Sequence, residues 1–287
     1  MTNGILIFAH NNREIDYALM AVIAGGLARK HLNVPATLVT DASTLEWMAK
    51  SEIVEKAKEV FEAFIIVEKP LTDNQRRLHD GKFSDVLVPF VNANRASAWD
   101  LTPYDRTLLI DSDFLIFSDR LSEYWDVDES ILVSDSMNDM VVPSRNGYHD
   151  NYISDTGVKL FWATTVMFTK DDVSKMFFET VDFVRTHYSY YGDLFRFDPR
   201  QYRNDISFSV ANHLLYGFEE PVMSLPPVLT TIDKDILHSV DDNGKLTFLL
   251  SGKVDANYCP ATIKDTDVHV MNKKSIVRNA ENLMRLI

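Results

Sequence analysis

Hydrophobic and polar positions divide the first third of the chain into alternating short apolar runs and longer amphipathic segments. Gly4–Ala9 is apolar almost throughout and predicts a buried strand. From Glu14 to about Lys30 the residues Ile15, Leu19, Val22, Ile23 and Leu27 recur at helical spacing. Pro35–Thr40 predicts a second strand ending at Asp41. Ser43 with Glu46 has the spacing of a capping box for the next helix, and Phe64–Val67 predicts a third strand. This order of strand, helix, strand, helix, strand implies a parallel sheet with crossover helices, a Rossmann-like nucleotide-binding half.

Further on, Pro70–Lys82 is polar and irregular and predicts a loop, and Val91–Leu101 predicts a helix carrying Arg95 one turn from Trp99. Thr107–Ile110 is short and apolar throughout, as suits a strand buried on both faces. A second apolar run, Phe114–Phe117, follows it. Asp135–Asp155 is rich in Ser, Asn, Gly, Pro and Asp and predicts a long surface loop. Lys159–Phe168 predicts a strand through Thr164-Thr165, and Asp171–His187 an amphipathic helix. Asn204-Asp205 opens a helix to about Tyr216, and a hairpin is expected around Asp241-Asp242-Asn243-Gly244. A short strand, Asp267–Met271, contains His269, and a closing helix begins near Ser275.

With 287 residues, 46% hydrophobic and 25% charged, the chain can bury a large core. A single α/β domain is expected, with residues 1–113 as the nucleotide-binding half and 114–287 as the acceptor-binding half. The net charge of −13 argues against a surface that is basic all over, though not against a local basic cleft. The single Cys259 excludes an internal disulfide framework. No apolar stretch is long enough to span a bilayer. The start reads as a first strand rather than a signal peptide, so a cytoplasmic location is expected, the host cytoplasm if the protein is phage-encoded.

Between the two central apolar runs lies Asp111-Ser112-Asp113. In open α/β sheets ligands bind at the carboxyl ends of strands. An Asp-x-Asp placed there suits a hard divalent ion that shares its other positions with phosphate oxygens. The alternative is a turn whose carboxylates cap nearby N–H groups. No Gly-x-Gly-x-x-Gly turn follows the first strand and no Walker loop occurs anywhere, which counts against dinucleotide redox cofactors and P-loop chemistry. A nucleotide can still be held by side chains such as Asn11, Asp16 and Tyr17. His10 and Asn12 fit either ligand contact or loop hydrogen bonds. In Arg185–Arg203 six aromatics alternate with four arginines. Such a stretch either stacks on rings and holds phosphates or packs its aromatics on the core. Lys273-Lys274 precede a helix, where anions are favoured, or form a solvated pair.

Together these pieces resemble the glycogenin-like retaining glycosyltransferases of the GT-A fold. The island from Arg95 through Trp99, Leu101-Thr102, Tyr104 and Asp111-Ser112-Asp113 is similar to that family's series nearly position for position. Asp16-Tyr17 resembles its nucleotide-contacting segment and Asn204-Asp205 its acidic motif beside the donor sugar. His269, Lys273 and Lys274 resemble the His and Lys that complete the metal and diphosphate site. Thr164-Thr165 departs from the family, as does the missing Gly and Pro-Trp around the terminal Lys.

The resemblance implies an α/β, GT-A-type, mostly parallel mixed sheet flanked by helices. It also implies a metal-dependent transfer from a nucleotide-diphosphate sugar, a UDP-sugar, to an acceptor hydroxyl with retention. Asp111, Asp113 and His269 would bind Mn²⁺ or Mg²⁺. Arg95 and Asp205 would act at the sugar. Asn11, Asp16, Tyr17, Ser112, Lys273 and Lys274 would hold the nucleotide and diphosphate. The acceptor is open among a saccharide, a protein and hydroxymethylated cytosine in phage DNA, with Arg185–Arg203 as its candidate surface. Two rival classes are an Asp-x-Asp phosphohydrolase and a non-catalytic nucleotide-sugar-binding protein.

Overall fold

The computed structural model describes residues 1–51, 53–69, 74–141, 145, 151–218, 224–252 and 257–287. The first half runs β1 (Asn3–Phe8), α1 (Tyr17–Leu32), β2 (Ala36–Thr40), α2 (Ala42–Lys50), α3 (Val54–Val60), β3 (Ala63–Ile66), β4 (Gln75–His79), β5 (Asp85–Pro89), α4 (Ala98–Leu101) and β6 (Arg106–Ile110). Then come β7 (Phe114–Leu115), β8 (Ile131–Ser134), β9 (Met137–Asp139), β10 (Tyr152–Ile153), β11 (Val158–Lys159), β12 (Trp162–Thr169), α5 (Asp172–Thr186), α6 (Tyr188–Phe195) and α7 (Asn204–Tyr216). The chain closes with β13 (Val228–Thr230), β14 (Ile236–Val240), β15 (Leu246–Ser251), β16 (Tyr258–Ile263), β17 (Val268–His269), α8 (Lys273–Arg278) and α9 (Ala280–Met284).

The central sheet has the order β3-β2-β1-β6-β12-β8. Strands β3, β2, β1 and β6 are parallel, and β12 joins antiparallel to both β6 and β8. This is the α/β, mostly parallel mixed sheet flanked by helices that the sequence predicts. Alternation along each strand feeds two cores. Ile5, Ile7, Leu108 and Ile110 face α1 and its neighbours, while Leu6, Phe8 and Leu109 face the layer of α5 and α7. All five residues of β6 are buried, which fits the apolar run Leu108–Ile110; Arg106 at its start is buried too and donates to the Glu129 and Tyr124 carbonyls and the Thr169 hydroxyl.

Several elements differ from the sequence expectation. The irregular loop expected over Pro70–Lys82 is, from Gln75 on, one arm of the antiparallel hairpin β4–β5, turned at Gly81 with φ +77°. Residues 70–73 lie outside the described residues. Gln75-Arg76-Arg77 shows no apolar alternation, so nothing local marks it as a strand. Val91–Asn94 is not helical, because Asn92 holds the backbone of His10 from both its oxygen (2.9 Å) and its amide nitrogen (3.2 Å). Only a 3₁₀ turn, Arg95–Ser97, precedes α4.

Helix α2 is capped by Asp41, which accepts from the Thr44 amide at 3.1 Å, rather than by Ser43 with Glu46; the Ser43 hydroxyl donates to the same carboxylate. The expected loop Asp135–Asp155 contains β9 and β10, and residues 142–144 and 146–150 of it lie outside the described residues. Among the described residues no helix is long and apolar enough to cross a membrane.

Candidate active site

The apolar run of β6 ends in the polar turn Asp111-Ser112-Asp113. The turn is tight: the Asp111 amide donates to the Thr164 carbonyl of β12 at 3.0 Å, and the Phe114 amide to the Asp111 carbonyl at 3.1 Å. A second small sheet, β7-β17-β13-β9, then brings a distant segment to this turn. Phe114 pairs with His269, and the Val270 amide donates to the Asp113 carbonyl at 2.9 Å. Asn272 caps α8 through the Ser275 amide and anchors to the Asp235 carbonyl at 2.9 Å. The next residue, Lys273, is thereby aimed back at Asp113.

Ligand atoms of Asp111, Asp113 and His269 all lie within 4.8 Å of one another. His269 Nε2 is 3.3 Å from Asp113 Oδ1, and Lys273 Nζ is 2.5 Å from Asp113 Oδ2. Burial opposes a charge on Asp113, but Lys273 and His269 more than offset it and hold this carboxyl far below the usual range. Asp111 goes the other way: burial dominates the Arg95 guanidinium and raises its pKa. Lys273 is likewise opposed by burial, but the Asp113 charge prevails and raises its pKa. Two carboxylates and an imidazole converging from one wall suit a divalent ion that keeps its other positions open.

The triad faces a cavity of about 480 Å³ at the carboxyl end of β1 and β6. Tyr17 at the start of α1 and Ser112 also line it. Arg95 enters between, donating through Nη1 to Asp111 Oδ1 at 2.9 Å and to the Ala163 carbonyl. Asp205, ion-paired with Arg203, also lines the cavity. There, too, burial opposes the charge, and Arg203 outweighs it to lower the pKa of Asp205. Three lining residues expose a cost: Arg95 Nη2, Asn204 Oδ1 and Trp162 Nε1 are buried with no hydrogen-bond partner among the described residues. Unpaired buried polar atoms around a cavity call for an explanation, and a polar ligand supplies one.

The structure therefore brings together Tyr17, Arg95, Asp111, Ser112, Asp113, Asp205, His269 and Lys273. It does not bring Asn11, Asp16 or Lys274 to the cavity. Asp16 is the N-cap of α1, accepting from the Leu19 amide at 2.9 Å, and Asn11 bridges to Asp16 and the Ala18 amide. Lys274 turns outward to Glu14, 3.5 Å away. His10 and Asn12 serve loop hydrogen bonds, His10 to Asp41 at 2.9 Å and Asn12 to the Glu14 and Ile15 amides.

In Arg185–Arg203 the aromatics Tyr188, Tyr191 and Phe195 are buried. The four arginines pair with Asp182, Asp155, Asp198 and Asp205, and of the four only Arg203 lines the cavity. One lining residue that sequence reasoning missed is Arg76 on β4.

No protein-family profile and no curated protein matches the chain. Among solved structures, it is similar to the apo-form glycosyltransferase GlyE of Streptococcus pneumoniae TIGR4, at 12% identity over 79% of this chain and 45% of that one, with a TM-score of 0.44. It is also similar to the galactosyltransferase LgtC in complex with donor and acceptor sugar analogs, at 17% identity over 74% and 70%, TM-score 0.42. A third is the PaToxG glycosyltransferase, at 12% identity over 75% and 69%, TM-score 0.40. The chain spans less than half the length of the GlyE structures it matches. These likenesses are weak in identity and superposition alike, and the functional reading rests on the residues of the site.

Proposed function

We propose that the chain is a metal-dependent glycosyltransferase that moves a sugar from a nucleotide-diphosphate sugar, a UDP-sugar, to an acceptor hydroxyl with retention. One observation carries this reading. Asp111, Asp113 and His269 converge within 4.8 Å at the wall of a cavity on the carboxyl edge of the sheet, with a lysine set against Asp113. Those three residues would hold Mn²⁺ or Mg²⁺. When bound, the ion supplies Lewis-acid stabilisation to the diphosphate as it leaves.

The remaining work belongs to side chains. Lys273 places a preorganised cation where negative charge grows on the leaving diphosphate. Tyr17 and Ser112 bound the nucleotide side of the cavity. Arg95 has an unused nitrogen, Nη2, buried beside that wall and able to donate to a sugar hydroxyl. Asp205, kept ionised by Arg203, offers negative charge to an oxocarbenium-like transition state. The acceptor hydroxyl attacks the anomeric carbon on the face the leaving group vacates, its oxygen replacing the broken bond to the diphosphate and its proton passing to the departing diphosphate oxygen. Pairing of every arginine in Arg185–Arg203 with an aspartate removes the local support for a DNA acceptor, so a saccharide or protein hydroxyl is the favoured acceptor class.

The test is thermal shift and hydrolysis with a panel of nucleotide sugars, with and without Mn²⁺, on wild type and Asp113→Ala. Metal-dependent stabilisation and hydrolysis with one donor, both lost in the variant, are expected. Binding without transfer or hydrolysis would instead identify a nucleotide-sugar-binding protein, and no response to any donor would remove the proposal.

A further inference from the structure

Helices α5 and α6 carry two apolar faces. One faces the chain's own core: Phe177, Phe178, Val181 and Val184 of α5 are buried, as are Tyr188, Tyr191 and Phe195 of α6. The other points outward. Val173, Met176, Phe183, Tyr190 and Leu194 are each 44–64% exposed, and Thr180 and His187 fall between them in the same row. The seven positions are spaced by three and four residues in strict alternation. That is the a/d pattern of a helix–helix seam, sustained over three heptads.

The row stays in phase across the junction of the two helices. The His187 amide donates to the Phe183 carbonyl at 3.1 Å and the Tyr191 amide to the His187 carbonyl at 3.2 Å, so bonding from each residue to the fourth before it continues. The Phe183 and His187 rings lie 4.3 Å apart and join the α5 part of the row to the α6 part. From Val173 to Leu194 the row is about 30 Å long. None of its residues lines the cavity of the candidate site. Single exposed apolar side chains are ordinary, but a contiguous row of this length marks a contact surface.

We propose that this face is the interface of a two-fold homodimer, in which α5 and α6 of one copy pack antiparallel on α5 and α6 of the other. Two observations favour a second copy as the occupant. First, the row complements itself. In an antiparallel a-against-d register Val173 meets the partner's Tyr190, Met176 the partner's His187, and Thr180 the partner's Phe183. Symmetry repeats each layer once. Every layer then sets a ring against a smaller or more flexible side chain, the arrangement in which facing positions interdigitate.

Second, the area suffices. At roughly 200 Å² for a full side chain, the five exposed apolar residues offer about 500 Å² per copy. A two-fold contact therefore removes about 1,000 Å² from water, the threshold of a specific interface. The charges argue against a membrane as the occupant. Exposed along α5 and α6 are Asp172, Glu179, Asp182 and Asp193 against Lys175 and Arg185. Helices that lie on membranes carry a predominantly basic flank instead.

Sedimentation velocity on the full chain, over about 1–300 μM, tests the proposal. Wild type is expected to pass from monomer to dimer across that range. Phe183→Glu and Tyr190→Glu should each weaken the dimer at least about tenfold, because each change enters the contact twice. Orientation is read by cross-linking in a Cys259→Ser background, which removes the chain's single cysteine. Val173→Cys combined with Tyr190→Cys should give a disulfide-linked dimer under oxidation, and neither change alone should. Within one chain the two positions are about 25 Å apart along the helices, too far to bridge.

A wild type that stays monomeric throughout overturns the proposal. Binding of that monomer to phosphatidylcholine–phosphatidylglycerol vesicles would assign the face to a membrane. A dimer that neither glutamate variant weakens overturns it as well. If those variants fail to fold, absence of cross-linking in the double cysteine variant does the same. Cross-linking by Val173→Cys alone would overturn the antiparallel pairing.

Discussion

Lys273→Met keeps the length of the side chain and removes its charge, so it isolates what the ammonium does for Asp113. Asp113 is 4% exposed, and its Oδ2 lies 2.5 Å from Lys273 Nζ. Removing one partner of a buried pair costs roughly 3–5 kcal/mol, because the other is left buried and unmatched. His269 at 3.3 Å still faces the carboxylate, which argues for the lower figure. Over 287 residues, an unfolding entropy of about 2.1 cal/mol/K per residue gives roughly 0.6 kcal/mol/K, so about 3 kcal/mol lowers Tm by about 5 °C.

The assay is calorimetry in EDTA and again in Mn²⁺. A bound cation replaces the missing ammonium, and at about 100 times its Kd it returns roughly 2.7 kcal/mol. At one fixed Mn²⁺ concentration the variant should therefore gain more than wild type, in which the ion competes with Lys273 for the same oxygen. The sign with pH follows from the depressed pKa of Asp113 in wild type. Its ionised form stabilises the fold above the ordinary carboxylate range, so the gap between the two proteins is full at pH 7. It narrows below about pH 4, where the variant protonates Asp113 and escapes the penalty. Equal melting of the two proteins in EDTA would refute the buried pairing. An equal loss with and without Mn²⁺ would refute Asp113 as a metal ligand.

Two further outcomes are expected. Asp205→Asn keeps the shape of the far wall and should lower turnover by about 100-fold or more, the scale of losing one preorganised electrostatic contact; unchanged turnover in a folded variant removes Asp205 from the chemistry. Asp41 is buried and receives hydrogen bonds from Ser43, Thr44 and His10, which overcome burial and lower its pKa to about 2. Its folded value lies below the ordinary aspartate value of 3.8, so its stabilisation is present above about pH 4 and is lost as pH falls toward 2. Asp41→Asn should cost about 2 kcal/mol at pH 7 and almost nothing near pH 2, read by chemical denaturation across that range.

What the sequence could and could not reveal divides along the reach of each signal. The sheet was legible because strands such as β1 are buried on both faces and leave a nearly unbroken apolar run. The two carboxylates after it stood out as charge at a strand end. Asn11 and Asp16, expected at the nucleotide, serve the start of α1 instead of lining the cavity, and a local signal for that was present. An Asn and an Asp just ahead of a helical apolar pattern have amides to satisfy, and here those amides take their oxygens. Ser43 misled in the same way: Asp41, three residues before Thr44, was the better cap.

Other features carried little local signal because of distance along the chain. His269 reaches Asp113 through pairing of β17 with β7, across more than 150 residues, and only the family resemblance pointed to it. Arg76 had no signal at all. Its strand is polar, its partner β5 is defined by backbone pairing, and Tyr202, which fixes its place, lies 126 residues away.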